Sequence, residues 1–266
     1  MCTIVVLHQV HPDYPVIIAA NRDEYYARPS TPPQLLQESP RVIGGVDGKK
    51  GGSWMGATEA GFFVGLTNQR TYHRADKSRR SRGEVVVEAL RLGQTQAVED
   101  YLGDLSPDDY NPFNLIFGES GAMRVAYVHE GMDKVEIVPL PTGIHVLPND
   151  RLDSGDFSKV ARAQALLEGH GHEPWPELRQ TLHNMLADRF LPPFESVAPP
   201  PAGSLMPRRL VHRLEALCIH TPLYGTRSAT IAALTPGKVA HYLFSPGAPD
   251  QWEFDDFTAL LNPAPA

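Results

Sequence analysis

"MCTIVVLHQVHPDYPVIIAANRDE", residues 1–24, decides the fold. Two apolar runs, residues 3–7 and 15–20, flank "HPDYP", whose Pro and Asp residues carry turn chemistry. The pair reads as a β-hairpin. Neither run alternates apolar with polar residues, so each strand is expected to be covered on both faces, as strands inside a multilayer protein are. A turn centred near Pro12 pairs positions whose numbers sum to about 23 to 25. Cys2 then lies opposite Asn21, Arg22 and Asp23. A thiol faces an amide, a guanidinium and a carboxylate at one end of a buried hairpin.

Outward from the hairpin, strands are predicted over 41–45, 53–58, 62–67, 113–118, 122–128, 134–138 and 143–147. A final pair, 224–234 and 238–244, is joined by Thr-Pro-Gly, a turn signal. Helices fit 83–102, 157–168, 175–190 and 207–216. In the third of these, Trp175, Leu178, Leu182, Leu186 and Phe190 recur at helical spacing. Strands, then helices, then strands give an α+β protein with helices layered on antiparallel sheets. The expectation is a single domain over 1–266, with a Pro-rich surface loop or lid at 191–209 and a frayed tail at 262–266.

The balance of 31 acidic against 24 basic side chains, a net charge of −7, excludes an ordinary nucleic-acid binder. A small-molecule substrate or ligand is expected instead. No apolar run reaches the length of a membrane span, and no positive segment precedes the first apolar residues, so neither a span nor a signal peptide is expected. The two cysteines, Cys2 and Cys218, form no zinc spacing and no disulfide scaffold, which points to a reducing, cytoplasmic location. Eleven histidines show no HExxH and no paired helical spacing, so no metal centre is expected. "GGVDGKKGGSW" (44–54) fails the phosphate-loop spacing and reads as a loop feeding the Trp54 strand.

Cys2 allows two readings. It is a packed strand cysteine, or, once Met1 is removed, a residue carrying both a thiol and a free α-amine. That amine, with a reference pKa of about 8, is a competent base for the thiol proton. A nearby arginine favours the thiolate, and Asp23 is a hydrogen-bond acceptor that orients the amine. Trp54 and Phe62 line an apolar substrate pocket or belong to the core. The basic stretch 70–83, which starts at Arg70, is either a solvated loop or an anion site for a carboxylate, phosphate or CoA group near the following helix. His8, His73 and His220 are single-residue candidates for ligating haem, or ordinary surface and core histidines.

In order along the chain, "MCTIVV", "NRDE", "GGSWMG", "GLTNQR", "SRG", "FNLIFGE" and "YGTRSAT" resemble the NRDE family, also called the transport and Golgi organisation protein 2 family. The resemblance spans nearly the whole chain. That family is similar to the cysteine N-terminal nucleophile hydrolases, the choloylglycine hydrolase and penicillin V acylase group. The resemblance implies an αββα sandwich of two antiparallel sheets between helical layers. It implies Cys2 as nucleophile, Asp23 as the carboxylate holding its amine, and Arg227 as an active-site arginine. It also implies Asn68 or Asn114 as the side-chain oxyanion donor, with Tyr224 and Arg70 near the substrate. In those hydrolases an arginine directly precedes the Asn of the second strand; here that position is Ala20, and Arg22 follows Asn21. In an extended strand Arg22 points away from the face shared by Asn21 and Asp23. "LPND" (147–150) likewise carries Pro148 where the family more often has Ser.

Two functions follow. One is an amidohydrolase or acyl-transfer enzyme acting on a small substrate with an apolar acyl group. The other is a carrier of lipid, acyl-CoA or haem on the same fold, with haem as cargo and no resident cofactor.

Overall fold

A computed structural model describes residues 2–263; Met1 and most of the tail expected at 262–266 lie outside the described residues. The opening hairpin forms as read: β1 (Cys2–His8) and β2 (Val16–Tyr25) pair antiparallel, with Cys2 opposite Arg22 and Ile4 opposite Ala20. Ile4, Val6, Ile18 and Ala20 face one core, whereas Val5, Leu7, Ile17 and Ala19 face another. Both faces are buried, which is why the sequence of these strands does not alternate.

Seven strands follow as a meander interrupted by helices. They are β3 (Gln34–Glu38), β4 (Arg41–Gly44), β5 (Met55–Thr58), β6 (Phe63–Asn68), β7 (Phe113–Glu119), β8 (Ala122–Val128) and β9 (Glu136–Pro139). Between β6 and β7 lie α1 (Arg82–Leu92) and α2 (Thr95–Gly103). The chain then adds β10 (Gly143–Leu147), α3 (Ser158–Leu167), α4 (Trp175–Leu186), α5 (Arg208–Arg213), β11 (Tyr224–Thr235), β12 (Lys238–Ser245) and β13 (Asp255–Asp256). One sheet has the order β10-β1-β2-β11-β12-β13; the other runs β3 to β9 in sequence order. All pairings are antiparallel.

Three apolar cores set the layers. Ile4, Ile18, Ile43, Phe63 and Ile116 fill the space between the sheets. Val5, Ile17, Val160, Leu178 and Leu182 join the first sheet to α3 and α4. Val64, Leu66, Val85, Val86 and Leu115 join the second sheet to α1 and α2. The result is a four-layer αββα sandwich, in which each fully buried aliphatic side chain contributes about 1.5–3 kcal/mol relative to exposure.

Several boundaries differ from expectation. The helix expected over 83–102 is two helices, because Gly93 takes a left-handed conformation (φ 62°) and donates its N–H to the Ala89 carbonyl, ending α1. The helix expected to run to 190 stops at Leu186, and that expected over 207–216 is only the six-residue α5. β3 was not anticipated: "QLLQE" is an edge strand with no buried residue, so it lacks the apolar signature of the others. β9 starts two residues later than expected and ends on Pro139, which suits an edge strand because proline cannot donate to a ladder.

Candidate active site

The register of the hairpin fixes the site. Residues directly opposite in an antiparallel pair project to the same face, so Cys2 and Arg22 share the face between the sheets. Both are buried, each 6% exposed. Arg22 lies with its guanidinium carbon 4.2 Å from the Trp54 ring centroid, and its Nη1 donates to the Ser30 hydroxyl at 3.3 Å. Strand alternation turns Arg22 away from Asn21 and Asp23, as expected, and by the same alternation turns it toward the thiol's face.

Burial pushes the Cys2 thiol up, while Arg22 and the backbone N–H of Asp23 act in the opposite sense and favour the thiolate. Burial likewise lowers the pKa of Arg22, and the charge of Cys2 opposes that shift. A second arginine reaches this field. Arg82, the first residue of α1, is pushed down to about 10 by burial and by Arg28, and is raised in part by Glu24 and Cys2. Its Nη1 donates to the Pro112 carbonyl at 3.2 Å.

The opposite face of β2 carries Asn21 and Asp23. Asn21 donates from Nδ2 to the carbonyls of Leu186 and Leu217, at 2.8 and 2.9 Å, and so caps the end of α4. The Thr226 hydroxyl donates to Asp23 Oδ1 at 2.7 Å, and the Tyr224 hydroxyl donates to the Asp23 backbone carbonyl at 2.8 Å. Lys159, buried on α3, donates to the Thr3 hydroxyl at 3.2 Å. Burial pushes the Asp23 carboxyl up and the Lys159 ammonium down, and the charge of each opposes the other's shift. Asn149 closes the end of the site: its Nδ2 donates to the Asn68 carbonyl at 2.8 Å and to the Cys2 carbonyl at 3.3 Å.

The structure therefore gathers Cys2, Arg22, Trp54 and Asn149, with Asn21, Asp23 and Tyr224 on the far side of the same strand end. Other expected residues go elsewhere. Asn114 donates to the Thr67 hydroxyl at 3.0 Å and to the Asp150 carbonyl at 2.7 Å and accepts from Gln69, so its amide hydrogens are engaged. Asn68 meets the site through its backbone carbonyl. Arg227 sits at a bulge of β11, between the Thr226–Asp23 and Ser228–Arg22 pairs, and donates to the Tyr26 carbonyl. Phe62 packs in the core against α1 and α2, on the other side of the sheet from Trp54.

Arg70 is not in a solvated loop. Its Nη1 pairs with Glu215 Oε1 at 3.2 Å, and its guanidinium carbon lies 4.0 Å from the Phe157 ring centroid. Its backbone N–H donates to the Asn149 carbonyl at 2.6 Å. The rest of the basic stretch disperses: Arg79 pairs with Glu130, Arg80 with Glu84, and Arg82 donates to the Pro112 carbonyl. Of the histidines considered for haem, His8 is buried with Nδ1 2.9 Å from the Pro141 carbonyl oxygen, and His73 is exposed.

Sequence reasoning overlooked Asn149, Lys159 and Arg82 as site residues. Lys159 left a signal: it occupies the apolar stripe of α3 with Val160, Ala163 and Leu167, where a lysine has no reason to be unless it has a partner.

The family model described as Transport and Golgi organisation 2 matches residues 1–243. The chain belongs to that family. Within it, the "Transport and Golgi organization protein 2 homolog" of Bos taurus is 31% identical over 232 residues, covering 82% of this chain and 81% of that one. The Homo sapiens homolog is 30% identical over 239 residues, with the same coverage. Among solved structures, a mutant of the conjugated bile acid hydrolase from Clostridium perfringens superposes with a TM-score of 0.56 at 11% identity, over 98% of this chain and 94% of that one. The Caenorhabditis elegans ortholog of N-acylethanolamine-hydrolyzing acid amidase gives 0.52 at 12% identity, over 86% and 92%. These likenesses establish the fold of this Transport and Golgi organisation 2 family chain as that of the N-terminal nucleophile hydrolases.

Proposed function

We propose that the protein is a cysteine N-terminal nucleophile amidohydrolase or acyl-transfer enzyme acting on a small substrate with an apolar acyl group. The observation that carries this reading is the β1–β2 register, with Cys2 directly opposite Arg22 on the buried face. After loss of Met1, the α-amine of Cys2 takes the thiol proton and the thiolate adds to the acyl carbon, forming the C–S bond and a tetrahedral oxyanion. Collapse breaks the C–N bond as the amine returns the proton to the leaving nitrogen. Water, deprotonated by the same amine, then hydrolyses the thioester. Arg22 stabilises the thiolate, and Asn149 holds the Cys2 carbonyl in place. Asp23 orients the amine, with Thr226 and Tyr224 steadying it. No resident cofactor is needed.

A second reading is a carrier of lipid, acyl-CoA or haem, favoured by the relatives' names, which speak of transport and Golgi organisation. The proposed location for either is cytoplasmic, in keeping with two free cysteines. No helix of the described residues is long and apolar enough to cross a membrane.

Intact mass of the purified protein decides whether Met1 is removed; a retained methionine rules out the self-activated mechanism. With Met1 gone, alkylation is expected at Cys2 before Cys218, and Cys2→Ala is expected to abolish turnover across an acyl-amide panel. Turnover that survives Cys2→Ala overturns the enzyme reading. Saturable haemin or acyl-CoA binding that is indifferent to Cys2→Ala, without turnover, favours the carrier.

A further inference from the structure

A second cluster of reactive side chains lies outside the Cys2 site. Cys218 and His220 stand two residues apart in the segment leading into β11, and Asp250 comes from the loop after β12. Sγ of Cys218 is 3.6 Å from Nε2 of His220 and 3.4 Å from Oδ1 of Asp250, and Nε2 is 3.0 Å from Oδ1. Three donor atoms of different chemistry converge on one point.

A tetrahedral zinc ion, with Zn–S of about 2.3 Å and Zn–N and Zn–O of about 2.0 Å, needs S···N and S···O separations of about 3.5 Å and an N···O separation of about 3.3 Å. The observed triangle matches these edges within a few tenths of an ångström. It does not match an activated-nucleophile triad, in which thiol and carboxylate engage different ring nitrogens. Here both approach Nε2. In the absence of an ion, hydrogen bonds from Sγ–H and Nε2–H to Oδ1 leave the Sγ···Nε2 contact unmade; an ion satisfies all three atoms.

We propose that Cys218, His220 and Asp250 form a three-ligand site for a divalent cation of the zinc class, with a fourth position for water or an exogenous anion. A thiolate beside an imidazole selects zinc-class metals over magnesium or calcium. Three protein ligands with an open position are the pattern of a reactive rather than a purely structural zinc site. The backbone holds the ligands in place. The Cys218 N–H donates to the Asp188 carbonyl at 2.8 Å, and His220 forms a bridge with Gly225. Asp250 Oδ2 faces Arg189 Nη1 at 3.4 Å, which leaves Oδ1 for the ion. His220 also lines a cleft with Arg209, Arg213 and Thr221, so the site has an approach from solvent and two cations suited to an anionic fourth ligand. Thiolate and carboxylate together neutralise the 2+ charge.

The test is cobalt(II) titration of the full chain carrying Cys2→Ser, in which Cys218 is the remaining thiol of the two in the sequence. The expected result is one cobalt per chain, the intense visible bands of a tetrahedral ion and a thiolate-to-cobalt charge-transfer band, all abolished by zinc competition. Cys218→Ser should remove the charge-transfer band and weaken binding by more than the about tenfold that loss of an outer-shell partner costs. Asp250→Asn, at a partly exposed position, is the second variant and should weaken binding while retaining the thiolate band. Folding of each variant is checked by thermal melting. Absence of stoichiometric binding, cobalt bound without a thiolate band, or affinity indifferent to both variants would overturn the site.

Discussion

The guanidinium of Arg22 lies over the Trp54 ring and opposite Cys2, in the layer between the sheets. Because its charge favours the thiolate, Arg22→Leu is expected to move the pH profile of Cys2 alkylation upward, and each unit of that move costs about tenfold in thiolate fraction at neutral pH. Mass-spectrometric alkylation rates across a pH series check this; an unchanged profile refutes the role. This residue was legible before the structure because hairpin arithmetic involves only local pairing: the expected sum of about 23 to 25 became Cys2 opposite Arg22. Asn149 and Lys159 were not legible in the same way. They reach the hairpin from 147 and 156 residues away, through the packing of β10 and α3, which no local pattern encodes. Family resemblance pointed to Arg227, but the β11 bulge directs that side chain to Tyr26 instead.

At the scale of elements, β10 is an edge strand, paired on one side with β1 and braced on the other by the Asp153 side chain. Asp153, at a positive φ of 55°, accepts the Val146 N–H at 2.8 Å and lies 2.7 Å from His145 Nδ1. The hydrogen bond to Asp153 raises the pKa of His145 above its ordinary 6.5. A group whose folded pKa is raised stabilises the fold fully below its unfolded pKa and loses that contribution as pH rises through the folded value. The stability gap between the wild type and His145→Gln should therefore be widest below pH 6.5 and narrow on the alkaline side. Urea denaturation at several pH values measures it, and a gap that grows with pH contradicts the clamp. Strands with buried, β-branched faces were legible from sequence, whereas β3 and β13 were not, because one is polar and unburied and the other two residues long. The joint between α1 and α2 turned on Gly93, where one left-handed residue outweighs a continuous helical pattern.

At the scale of the whole molecule, the two sheets approach closely where Gly65 of β6 faces β1. A Cβ there would come within 2.9 Å of Ile4 Cδ1 and 3.0 Å of the Phe63 ring. Gly65→Val should destabilise the protein by about 1–3 kcal/mol through overpacking and should loosen the strand that bears Cys2. A melting curve that matches wild type, with Cys2 reactivity unaltered, would exclude the wedge. The same layered plan also sets an order of events in time. The seven-stranded sheet takes its strands from one continuous stretch, Gln34 to Pro139, together with the two helices that cover it. The six-stranded sheet joins the chain's first strands to its last, pairing Ala20 with Thr230. Closing that long loop is slow by topology. On the ribosome, β2 therefore waits without β11 until most of the polypeptide has emerged, and the strand beginning at Cys2 waits for β10, its other neighbour besides β2, until Leu147 has been made. The removal of Met1 that the proposed mechanism requires would fall in that interval, on an open chain, before Cys2 is sealed into the folded protein.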